Sequence, residues 1–174
     1  MNVNALCDVV ARQTGAEFAD VHLYARRLRE AGYLPQGSRG RQAPPIDHRD
    51  AATLLVGMFA TDIARQAPEK VAAYNELIDR LTHLLREPNE VSKLAVIELS
   101  RTTGCTFLYW SGTPTNPNDP RLTEEAPPET PVAWSEFVAP KEMIGDVYAI
   151  EVVVHVTGSA IAGVSRALTA SGVT

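Results

Sequence analysis

Up to Pro88 the apolar residues recur every three or four positions, the spacing of one buried helix face. Beyond it they gather in short β-branched and aromatic runs. A helical first half and a β-rich second half are therefore expected. Val3, Leu6, Val9 and Val10 mark a first helix over residues 3–12, with Cys7 beside the stripe and Thr14-Gly15 as its end. Val21, Ala25 and Leu28, widened by Tyr24 and Ala31, mark a second helix from Ala19. It should finish near Glu30 or Ala31, because Gly32 suits a left-handed C-terminal residue and Pro35 is a stop signal. Tyr33 and Leu34 are expected to tuck back onto the core. Asp47 is placed to cap a third helix, His48 to Thr61, whose apolar stripe is Ala51, Leu54, Leu55, Met58 and Phe59. That helix should close the N-terminal core.

A fourth helix is predicted to start at Pro68, a good first-turn residue, and to carry Val71, Tyr74, Leu77, Ile78, Leu81 and Leu85 up to Glu87-Pro88. Its long stripe fits either packing within its own domain or a self-association seam. After Pro88, residues 93–100 and 105–111 read as a strand pair turned at Thr102-Thr103-Gly104. Residues 112–131 hold six of the twelve prolines without any periodicity, so a long loop is expected there. Strands resume over residues 132–138 and 148–156, and residues 159–169 offer a terminal small-residue helix. The fold expected is α+β: an all-helical domain over residues 1–66, an amphipathic helix over 67–88, and a small antiparallel β domain with a terminal helix over 89–174.

With 174 residues and 45% hydrophobic composition, the chain can form one substantial core or two small ones. No run of about eighteen apolar residues occurs, and the N-terminus has no signal-like basic and apolar regions, so a cytoplasmic, non-membrane protein is expected. Cys7 and Cys105 are the two cysteines, each in an apolar context that favours burial over a disulfide or a metal thiolate. The histidines at 22, 48, 83 and 155 have no ligand spacing between them. Neither metal nor cofactor is expected.

Charge changes the picture. The chain has a net charge of −5, yet residues 22–49 carry six arginines against Glu30 and Asp47. Such a positive island is what an electrostatic phosphate footprint looks like. A run of arginines on a helix is also what an ordinary solvated face shows. Residues 89–174 carry five basic and ten acidic side chains, so that half is a poor nucleic-acid binder and a better candidate for contacts with a protein partner.

Two short helices joined by a glycine-containing turn, the second basic and running ARRLREAGYL into the loop QGSRGRQ, resemble the winged helix-turn-helix of bacterial and phage transcription regulators. The resemblance covers about a quarter of the chain. It departs from the winged pattern where Ala43-Pro44-Pro45 leads to another helix instead of a strand. It implies a homo-oligomeric regulator that binds double-stranded DNA. His22, Arg26, Arg27 and Arg29 would face the groove, and Arg39 and Arg41 would reach the backbone or minor groove. The layout is also similar to the small DNA-recognition subunits of phage packaging motors. A non-enzymatic assembly factor, whose basic segment docks on an acidic partner, is the third reading.

Catalytic patterns are missing from the sequence. It has no phosphate loop ending in Lys-Ser or Lys-Thr and no Gly-x-Ser-x-Gly elbow, and Gly37-Ser38-Arg39-Gly40 follows no predicted strand. Glu151 and His155 would share a strand face, but two polar groups do not make a site. Tyr109, Trp110 and Trp134 suit core or interface packing as well as stacking on a ligand. No enzyme activity is expected.

Overall fold

Asn2 starts the first helix, its side-chain oxygen accepting the Ala5 N–H at 2.9 Å. In the computed structural model, which describes residues 1–36, 44–91, 93–100, 104–110, 131–138 and 153–173, α1 spans Val3–Thr14. Gly15 ends it with φ of 75°, a left-handed conformation that a Cβ would strain. Helix α2, Phe18–Glu30, follows after residues 15–17. Its exit is a Schellman closure: the Gly32 N–H donates to the Arg29 carbonyl and the Tyr33 N–H to the Leu28 carbonyl, with Gly32 at φ of 82°. The closure turns Leu34 inward at 3% exposure and leaves Tyr33 outside at 40%, so only one of the two expected residues reaches the core.

Helix α3, His48–Phe59, opens with reciprocal hydrogen bonds between Asp47 and Asp50, a capping box that fits the acidic first turn. It ends two residues before Thr61. Every residue from Ala51 to Gly57 is buried, so α3 is wrapped by other elements instead of lying on a surface.

The single helix expected from Pro68 to Leu85 is two. A 3-10 turn, Ala64–Gln66, runs into α4, Ala67–Ala73; the backbone leaves the helical region at Tyr74 and α5 begins at Asn75 and runs to Arg86. The apolar spacing survives the break because both halves bury the same kind of stripe, Val71 and Tyr74 before or at it and Leu77, Ile78, Leu81, Leu84 and Leu85 after it. Periodicity alone therefore cannot locate it. The α5 stripe, open at the sequence level to self-association, packs inside the chain against α3 and the terminal helix. A short helix α6, Pro88–Val91, leads to the sheet.

Strands β1 (Leu94–Ser100), β2 (Gly104–Trp110), β3 (Pro131–Val138) and β4 (Val153–Thr157) form one antiparallel sheet in the order β3-β2-β1-β4. The fold is α+β, as the sequence implies. Ile97 and Leu99 are buried while Val96 and Glu98 alternate outward, and Val156 on β4 joins the buried side. Helix α7, Gly158–Ala170, covers that side and packs on α1, α5 and α6 as well. The predicted turn at residues 102–103, the strand portion 148–152 and the proline-rich residues 112–130 lie outside the described residues.

The helical and β-rich segments are not two separately cored units. One contiguous hydrophobic cluster runs from Val3 and Leu6 through Leu54 and Leu85 to Ile97, Val164 and Leu168. The charge asymmetry between the halves is a surface property, and it does not mark where the core divides. Both cysteines are inside this cluster.

Candidate nucleic-acid interface

Helix α2 holds the site because its two faces differ. Val21, Tyr24, Ala25 and Leu28 are buried against α1, α3 and the 3-10 turn, and the Tyr24 hydroxyl donates to the Thr61 carbonyl at 2.7 Å. Helical spacing then directs Ala19, Leu23, Arg26 and Glu30 outward in one row, flanked by His22 on one edge and Arg27 on the other. His22 is half-buried beside Phe18, the ring centroids 5.9 Å apart. Phe18, Leu23 and Tyr33 are exposed large hydrophobic residues of α2 and its exit, a mixture of apolar and basic groups that sequence periodicity did not single out.

The arginines are not independent of one another. Arg26 Nε donates to Glu30 Oε1 and Arg27 Nη1 to Glu30 Oε2, both at 2.8 Å, so one carboxylate is shared by two guanidinium groups. These hydrogen bonds hold the Glu30 carboxyl below the usual carboxylate range. The pairs are exposed, with Arg26 at 63% and Glu30 at 45%, where such contacts are worth little against solvent screening. They orient the guanidinium groups without withdrawing them. The brace is legible from spacing, since Glu30 stands four and three residues from its partners.

Arg29 differs. It is half-buried on the α1 side of α2, close enough to Cys7 to oppose slightly the burial that pushes that thiol up to about 11. Among the described residues it makes no ion pair. Arg26, Arg29 and Glu30 line an open cleft of about 270 Å³ together with Gln36, whose amide donates to the Arg29 carbonyl at 3.4 Å. Gln36 carried no signal in the sequence, because only the Schellman turn brings it back over α2.

The other members of the positive island divide. Arg49 is clasped by Asp79 and by Asn75 Oδ1, a bridge from α3 to α5 away from the α2 face. Arg39 and Arg41 lie outside the described residues, as does the whole of residues 37–43. Four of the six residues expected to contact DNA, His22, Arg26, Arg27 and Arg29, are thus on one helix. The basic ones sit in its C-terminal half, while Glu17 is at its N-cap and Asp20 in its first turn.

Elsewhere the chemistry is sparse. His155 Nε2 lies 3.9 Å from Glu98 Oε1 across the β1–β4 pair, the two residues being directly opposed; the Glu151 partner expected from strand spacing is outside the described residues. Among the described residues no group of three His, Cys, Asp or Glu side chains could hold a metal ion, and no helix is long and apolar enough to cross a membrane. The side chains of Tyr109, Trp110 and Trp134 belong to the part of the sheet not described. Comparison with family models, with curated proteins and with solved structures found no match to this chain.

Proposed function

We propose that the chain binds double-stranded DNA through the outer face of α2, in the manner of a helix-turn-helix regulator acting as a homo-oligomer. One observation carries the reading: α1 and α2, joined by the left-handed Gly15 turn and anchored on one core, leave Arg26, Arg27 and Arg29 on the outer side and edge of a rigid helix. Three arginines on the helix, two of them paired with its one nearby carboxylate, leave a local surplus of positive charge in an acidic protein. Among the described residues Arg26 and Arg27 keep unpaired donors beyond those facing Glu30, so each can take a phosphate oxygen or a guanine edge. Ala19 and Leu23, in the same row, suit apolar contact with thymine methyl groups.

The position of the charge shapes the docking. With Glu17 and Asp20 at its N-terminal end, α2 would approach the phosphates with its C-terminal half, opposite to helices that lead with their first turn. The sequence places Arg39 and Arg41 a few residues beyond that end, where an arm would continue along the backbone.

The test is replacement of Arg26 and Arg27 together by Ala, with duplex binding followed across a salt series and the fold by circular dichroism. Binding that weakens steeply with salt in the parent chain and disappears in the variant, with an unchanged spectrum, is the expected result. Absence of duplex binding by the parent at low salt would refute the proposal and leave an assembly role through the same face. Mass in solution separates the remaining roles: a dimer fits a regulator, and a ring of subunits fits a DNA-packaging component.

A further inference from the structure

The cleft beside α2 carries a more specific assignment, which rests on the duplex-binding reading. We infer that Arg26, Arg29 and Gln36 form a seat for a single phosphate group, so that this end of α2 fixes the register of the protein on the backbone and reads no base. Arg26 reaches it braced through Nε by Glu30, which leaves its terminal nitrogens as donors. Arg29 reaches it from the other edge, half-buried and without an ion pair among the described residues. Burying part of a guanidinium side chain restricts its rotamers in advance, so less entropy is lost when an anion binds.

Gln36 supplies the third side. Its amide is held over the C-terminal turn by the Arg29 carbonyl, with one N–H used there and the second without a partner among the described residues. An open cleft of about 270 Å³ has room for a phosphate with part of its hydration. The C-terminal end of a helix disfavours anions, and so does Glu30, which also lines the cleft; Arg26 and Arg29 in the lining, with Arg27 beside Glu30, oppose them. A phosphodiester of duplex DNA and the phosphate of a free small molecule share this chemistry.

Two measurements separate them. In the first, binding of a random-sequence duplex is followed between about 50 and 200 mM salt for the parent chain and for Arg29→Ala, Arg29→Lys and Gln36→Ala. Arg29→Ala should reduce the slope of log affinity against log salt by about one, equally for every duplex sequence, while Arg29→Lys keeps the slope and Gln36→Ala weakens binding with the slope retained. A parental slope in Arg29→Ala with a native spectrum overturns the seat while leaving duplex binding through Arg26 and Arg27 intact. In the second, melting temperature is measured with added inorganic phosphate against equal ionic strength of chloride. If the parent binds no duplex, a phosphate-specific rise that Arg29→Ala loses supports the seat as a small-molecule site. An equal response of the two chains overturns it there as well.

Discussion

The carboxamide of Gln13, near the end of α1, lies across Gly163 in the middle of α7 so closely that a Cβ at 163 would overlap it. This contact joins the first and last helices of the chain and is one reason the two halves share a core. It also sets two effects against each other. An alanine inside a helix is worth about 1 kcal/mol over glycine, yet here it must displace the Gln13 side chain. Gly163→Ala is expected to give little or no gain alone and to stabilise by up to about 1 kcal/mol in a Gln13→Ala background. Equal effects in both backgrounds, measured by urea denaturation, would show that the overlap is not felt.

Ser165 provides a second link. Its hydroxyl is buried and donates to the Leu85 carbonyl at 2.8 Å, in the last turn of α5, where carbonyls have no partner within the helix. Ser165→Ala should cost roughly 1–3 kcal/mol, the penalty for a buried acceptor left unsatisfied. A loss below a few tenths in denaturant titration would mean that solvent reaches the Leu85 carbonyl.

His48 makes the fold sensitive to mild acid. It is 4% exposed at the start of α3, its Nδ1 is buried without a hydrogen-bond partner among the described residues, and burial lowers its pKa below 6.5, with Arg86 lowering it further and Asp47 opposing. A histidine held neutral by the fold contributes stability that is complete above its unfolded pKa and is lost as pH falls through the folded value. Stability should therefore decline below pH 6.5 down to the lowered pKa of His48. His48→Gln should flatten that decline. An identical profile in the variant would assign the decline to the carboxylates.

Glu30 tests the charge balance on α2. Since its carboxylate sits exposed between Arg26 and Arg27, Glu30→Gln removes a repulsion toward phosphate while leaving the helix surface otherwise intact. Duplex affinity should rise several-fold at low salt, and the gain should shrink as salt screens it. The melting temperature should hardly move. Weaker binding instead would show that the brace on the two arginines matters more than the charge it adds.

Much of the chain was legible in one dimension because the controlling interactions are local. Apolar spacing, Gly15, Gly32, Asp47 and Asp50 determine α1, α2 and α3 through turn geometry and capping that act within a few residues. The α5 stripe and the strand pair β1–β2 were readable for the same reason. So was the cationic side of α2, though its bonds to Glu30 were seen only in the structure.

Other features were decided only by tertiary structure. The break at Tyr74 leaves hydrophobic spacing unchanged, so no pattern reports it. The merging of two expected domains into one core, the Gln13–Gly163 contact and the Ser165–Leu85 hydrogen bond join residues far apart in sequence, whose approach depends on how helices pack. The return of Gln36 over Arg29 depends on a turn that a glycine permits but does not aim. Composition and spacing therefore settle which segments are helices or strands and which sides are apolar. The choice of partner for each side is made by long-range packing, because only there do chain connectivity and close contact constrain one another.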